Sequence, residues 1–204
     1  MDIIITIVIF VFSIVAHEYA HGYSAYLFGD STAKDNGRLT FNPIPHIDLW
    51  WSIILPIMIF ISSGGKMIFG GAKPVPINPM RFSNRRLGIS LVSASGPMAN
   101  LTLAFGAALL LNVLIFIGFN IGFLNMVLFN CVVYNLALAF FNLIPIPPLD
   151  GSKLLVYLLP PEYEYHINRM EFFGFIILII ALNFGLFNVV YSKIILPLIF
   201  LIIP

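Results

Sequence analysis

"IIITIVIFVFSIVAHEYAHGYSAYL", residues 3–27, is an apolar run that carries His17, Glu18 and His21 in its second half. A membrane-crossing helix needs about 20 predominantly apolar residues, and this stretch has them. An acid or base inside such a helix costs about 2.5–3.5 kcal/mol on insertion scales, so ionisable groups there mark function by default. The run starts at Ile3 without a basic lead, and no small-residue cleavage pattern precedes His17. A retained helix is therefore expected, not a removable signal peptide.

The remainder of the chain agrees with a lipid environment. Of 204 residues, 60% are hydrophobic and 9% charged, against about 25% charged in an average soluble domain. The formal charge of +1 gives no argument for nucleic acid or a strongly anionic partner. Cys131 is the only cysteine, which excludes an internal disulfide and a cysteine-rich metal site.

Further apolar runs lie at about 49–62, 87–119, 121–149, 172–190 and 194–203. The expected fold is an all-α polytopic membrane protein with about five to six membrane helices. It forms a single domain over 1–204, with a core at about 3–155 and C-terminal helices at about 170–204. Residues 49–62 are short and contain Pro56, which suits a re-entrant segment as well as a span. "GGKMIFGGAKPVPINP", residues 64–79, fits short extended strands, so a β-hairpin or re-entrant element is expected between the first and middle helices. Gly96-Pro97, in "SASGPMAN" (93–100), is expected to break or kink the third run and leave a helix from about 97 to 118. Lys34, Arg38, Lys66, Lys73, Arg81, Arg85 and Arg86 all fall between 29 and 86. If 49–62 re-enters, all seven face the cytoplasm and the N-terminus is outside, which satisfies the positive-inside bias better; if it spans, the N-terminus is inside and Lys34 and Arg38 are outside.

His17 and His21 are four residues apart, so a helix puts them on one face a turn apart. H-E-x-x-H is the arrangement in which two imidazoles hold zinc and the glutamate acts as general base. Polar residues hydrogen-bonded within a helix bundle are the plainer alternative. A catalytic zinc takes three protein ligands. Candidates for the third are His46 in "NPIPHID", His166, and Asp150 in "NLIPIPPLDG". Asn135 and Asn142, seven apart, form a polar stripe that needs an inward-facing reason. Pro145, Pro147 and Pro148 end that helix, and Gly151 can turn the chain after it. Asp150 could then face a metal or merely cap the next helix, and the chemistry alone leaves both open.

"HEYAH", "SGPMAN" and "NLIPIPPLDG", with "GDSTAKDNGRLTFNPIPHID" and "GAKPVPINP", resemble the site-2 protease family of intramembrane zinc metalloproteases. The similarity covers most of residues 10–155 and is strongest to the short prokaryotic type without PDZ or CBS domains. It implies one zinc per chain, with His17, His21 and Asp150 as ligands and Glu18 as general base. Asn142, eight residues before Asp150, matches the family asparagine thought to help hold the oxyanion. It also implies cleavage of transmembrane segments of membrane-protein substrates, in the bilayer of a prokaryotic cell membrane.

Several residues have competing readings. Lys73–Asn78 could hold an unwound substrate by strand addition, or be a plain structural hairpin. Gly96 and Asn100 are spaced to allow close helix approach. His46 and Asp48 are most simply a hydrogen-bonded loop, with Asp48 capping a helix anchored at the interface by Trp50 and Trp51. The rival function class is non-proteolytic: a metal transporter, or an inactive relative that binds transmembrane partners. A transporter would spread metal-binding residues along a path, whereas these converge, and an inactive relative would have little need of Glu18.

Overall fold

The computed structural model describes residues 3–54, 57–58, 61 and 71–203, with the backbone alone at 3, 50, 51, 53 and 168. Among the described residues there is no strand, and the helices are α1 (Ile3–Leu27), α2 (Thr32–Asp35), α3 (Arg85–Phe116), α4 (Gly122–Asn142), α5 (Gly151–Leu154), α6 (Glu162–Asn183), α7 (Leu186–Val190) and α8 (Leu196–Ile202). α1, α3 and α4 are long and apolar enough to cross a membrane. A fourth span exists if α6 and the α7–α8 run, bent by 70° at their break, are one crossing. Among the described residues the protein is thus all-helical, with three to four candidate membrane spans; the five to six expected are not shown. The break falls at Gly185, inside the 172–190 run, where a φ of +90° suits a residue without a side chain, and the helix continues from Leu186 to Ile202 through a π-helical turn at Tyr191–Ile195, so the polar residues 191–193 do not separate two helices.

The middle of the chain departs most from expectation. Residues 64–70 of the expected hairpin lie outside the described residues, and 71–78 have no regular secondary structure. Pro74 and Pro76 have no N–H to give to a ladder. The segment is held by other groups instead. Lys73 N–H donates to the His46 carbonyl (2.8 Å), Arg38 donates to the Lys73 carbonyl (2.6 Å), and Asn78 N–H donates to the buried Asp30 carboxylate (2.6 Å). In the 49–62 run, Leu49–Ile54 form a π-helical turn, and most of the rest, with the Trp50 and Trp51 side chains, lies outside the described residues.

Gly96-Pro97 does not end a helix: α3 runs unbroken for 32 residues through Pro97. Proline removes one N–H and crowds the side chain of the residue before it. Gly96 has no side chain to crowd, so the helix continues. At 1.5 Å per residue it is about 48 Å long, more than the roughly 30 Å hydrocarbon core. Asn84 caps its start by accepting from Leu87 N–H (3.2 Å).

α3 packs against both α1 and α4. Ala104, Ala107 and Ala108 let α4 come close, and its Val132 and Leu136 are fully buried there beside Val190, Ile195 and Ile199. Where lipid removes the hydrophobic drive between helices, such small-residue seams rely on close van der Waals contact. At the other end of α3, Arg86 donates to the carbonyls of Val156 (2.8 Å), Tyr157 (3.3 Å) and Leu159, while Ser90 accepts from Tyr157 N–H (3.0 Å). These bonds tie the segment after Asp150 to α3. Hydrogen bonds to charged groups are worth about 1.5–3 kcal/mol, so Arg86→Ala should destabilise the detergent-solubilised protein by about that free energy, read as a fall in its thermal midpoint by circular dichroism.

Candidate metal centre

α1 places His17 and His21 on one buried face, each 7% exposed. The third group arrives from far along the chain. α4 ends at Asn142, and the prolines that follow deny further helix. The chain folds back through tight turns, with Ile146 N–H to the Ile144 carbonyl (2.8 Å) and Leu149 N–H to the Ile146 carbonyl (2.9 Å). Gly151 is required here, because a Cβ at that position would sit on the Leu143 carbonyl. The turn delivers Asp150 to α1. Its side chain does not cap α5.

His17 Nε2, His21 Nε2 and Asp150 Oδ2 form a triangle with sides of 3.0, 3.1 and 3.2 Å. The opposite ring nitrogens are committed: His17 Nδ1 donates to Asn100 Oδ1 and His21 Nδ1 to the Val92 carbonyl, both at 2.7 Å. A neutral imidazole with its proton on Nδ1 carries a lone pair on Nε2. Three lone-pair atoms therefore converge at hydrogen-bond distance, an arrangement that repels unless a cation sits among them. A tetrahedral ion with bonds of about 2.0–2.1 Å spaces its ligands about 3.3–3.4 Å apart, close to the sides observed. The donor set of two imidazoles and a carboxylate suits zinc. Among the described residues it is the one such cluster of metal-ligating side chains.

α3 closes the site on one side. A Cβ on Gly96 would fall on His21 Nε2 and lie 2.6 Å from His17 Cε1 and Nε2. Glu18 lies off the triangle, with Oε2 accepting from Val75 N–H (2.8 Å). The 71–78 segment thereby reaches the carboxylate next to the histidines. Asn142 stands on the last turn of α4, where its amide donates to the Leu138 carbonyl (2.9 Å).

The other candidates stay outside the triangle. His46 is buried at 2% exposure, and its Nε2 meets the Thr40 carbonyl at 3.0 Å. With its own carbonyl on Lys73, it is the hydrogen-bonded loop residue expected. Asp48 N–H donates to Ser52 Oγ (3.1 Å) and its carbonyl accepts from Ser52 N–H (2.9 Å). His166 is exposed on α6. Asn135 has the inward reason its stripe required: it is fully buried and bonded to Asn100 (2.9 Å) and Ser13 (2.9 Å). The sequence did not disclose Asn100 and the Val92 carbonyl as partners of the histidines. "SGPMAN" marked Asn100 as a packing position, but a backbone carbonyl leaves no mark in a sequence.

A buried histidine pair one helical turn apart, a carboxylate within 3.2 Å of both and an adjacent glutamate match the donor arrangement of a zinc metallohydrolase centre. The chain is 39% identical over 184 residues to the "Putative zinc metalloprotease YwhC" of Bacillus subtilis, covering 87% of this chain and 78% of that protein. It is 32% identical over 191 residues to the "Putative zinc metalloprotease Rip2" of Mycolicibacterium smegmatis and 33% identical over 184 residues to that of Mycobacterium tuberculosis, covering 88% of this chain and 68% of each relative. The chain belongs to this zinc metalloprotease family. No family model matches it, and no solved structure does.

Proposed function

We propose that the protein is a multi-pass intramembrane endopeptidase of the site-2 protease type, cleaving transmembrane segments of other membrane proteins in a prokaryotic cell membrane. The observation that carries this reading is the ligand triangle itself, since two of its corners stand on α1, a helix apolar enough to cross a membrane. His17, His21 and Asp150 would hold zinc. When bound, the ion supplies a Lewis acid that polarises a carbonyl and renders water nucleophilic near neutral pH. Glu18 takes the proton from the attacking water and returns it to the leaving amine. The Asn142 amide leaves its place on Leu138 and donates to the oxyanion.

A substrate helix has its amides in internal hydrogen bonds and must unwind locally before attack. The 71–78 segment lies against Glu18, but Pro74 and Pro76 deprive it of two donors. This favours a covering role over strand addition.

The test uses the purified chain and a panel of single-span membrane substrates. Cleavage within the spanning segment is expected, lost on chelation and restored by zinc, whereas Asp150→Ala should not recover with zinc. Cleavage that persists in metal-free protein, or only in extramembrane loops, would refute the reading.

A further inference from the structure

We propose that Asn100 is a positioning residue for the metal centre, whose side-chain carbonyl locks His17 in the Nδ1–H tautomer and so presents Nε2 to the ion. The inference rests on the metal-centre reading above and extends it to a residue on a different helix.

Asn100 is fully buried on α3. Its amide nitrogen donates to the Ser13 carbonyl (3.1 Å) and to Asn135 Oδ1 (2.9 Å), two oxygens that can only accept. Its carbonyl oxygen is therefore the atom that faces His17 Nδ1 at 2.7 Å. An acceptor there requires the proton on Nδ1. Asn135 is fixed in turn, since its nitrogen donates to Ser13 Oγ (2.9 Å) and the Cys131 carbonyl (2.9 Å), while Ser13 Oγ donates to the Ile9 carbonyl (2.8 Å). Every proton in the chain α4–α3–α1 has one direction. Neither amide can flip without setting oxygen against oxygen in a buried site.

The direction matters at the other end of the ring. With the proton on Nε2, His17 would point it at His21 Nε2 and Asp150 Oδ2, in the space the ion takes. His21 is set by a backbone carbonyl, Val92, which no side-chain substitution removes. Ser95 Oγ also lies 3.4 Å from His21 Nδ1 but gives its proton to the Val92 carbonyl (2.6 Å), so the short side-chain contact to an imidazole is that of Asn100 on His17 (2.7 Å). Partners that orient metal-bound histidines typically contribute about 10–100-fold to metal affinity.

The experiment compares Asn100→Ala, Asn100→Asp and Asn135→Ala with wild type, each as the full chain in detergent. Zinc affinity is read by chelator competition, ligand geometry by the visible spectrum of the Co2+-loaded protein, and structural damage by thermal unfolding of the metal-free protein. Asn100→Ala is expected to weaken zinc about 10–100-fold and to diminish the tetrahedral Co2+ bands. Asn100→Asp keeps an acceptor on His17 but sets its second oxygen against the Ser13 carbonyl and Asn135 Oδ1, so its melting temperature should fall while its zinc affinity stays closer to wild type than that of Asn100→Ala. Asn135→Ala loses interhelical hydrogen bonds but leaves the Asn100–His17 contact, so its melting temperature should fall while its zinc affinity holds. Wild-type affinity in Asn100→Ala would overturn the proposal, and so would an equal loss in Asn135→Ala, which would mark the effect as packing. A wild-type chain that takes up no zinc would instead overturn the metal-centre reading beneath it.

Discussion

Glu18→Gln is expected to keep wild-type zinc content and to cleave a transmembrane substrate about 10²–10⁴-fold more slowly, the range attributed to a general base. The structure makes this a clean substitution. Glu18 contributes no atom to the ligand triangle, and its one described hydrogen bond, from Val75 N–H at 2.8 Å, needs only an acceptor oxygen that glutamine retains. The 71–78 segment should therefore stay in place. A glutamine cannot carry the proton, so the loss falls on the chemical step. Zinc measured by atomic absorption beside single-turnover cleavage separates the two effects. A variant that retains both zinc and full rate would remove Glu18 from the mechanism.

Gly96→Ala should abolish stoichiometric zinc binding in a protein that still folds. The added methyl would collide with both ligand nitrogens of α1. α3 cannot simply withdraw, because Val92 and Asn100 bond the same imidazoles on either side of Gly96. The control lies on the same helix. A Cβ on Gly106 meets nothing within 4 Å, so Gly106→Ala should bind zinc normally and gain up to about 1 kcal/mol of helix propensity. Equal zinc affinity in both variants would show that α3 does not press on the histidines as described.

The parts of this site differed in how readable they were, for physical reasons. His17, Glu18 and His21 act through helical periodicity, which is local and visible in five letters. Asp150 lies 129 residues from His21, and its chemistry was equally consistent with a helix cap. Only the family resemblance favoured it as a ligand before the turn at Gly151 brought it to α1. Gly96-Pro97 looked like a helix break, because proline's local cost is legible whereas the relief from a preceding glycine and neighbouring helices is not. The 64–79 stretch has strand-like composition, yet the groups that hold its second half, Arg38, Asp30 and Glu18, come from elsewhere in the chain. The apolar runs were legible as membrane-compatible segments. Their count was not, since a 70° bend can join or divide two of them.

The two contacts from α3 to the imidazoles, at Val92 and Asn100, are eight residues apart on one helix and grip two residues one turn apart on another. Sliding α3 along α1 by one helical turn, about 5.4 Å, would carry both contacts, 2.7 Å long, out of hydrogen-bond reach. The helix pair thus acts as a rigid mount whose register is written into the ligand geometry. Any motion that opens the site has to be carried by parts that do not orient the histidines, and the seam between α1 and α3 has to stay shut through every turnover.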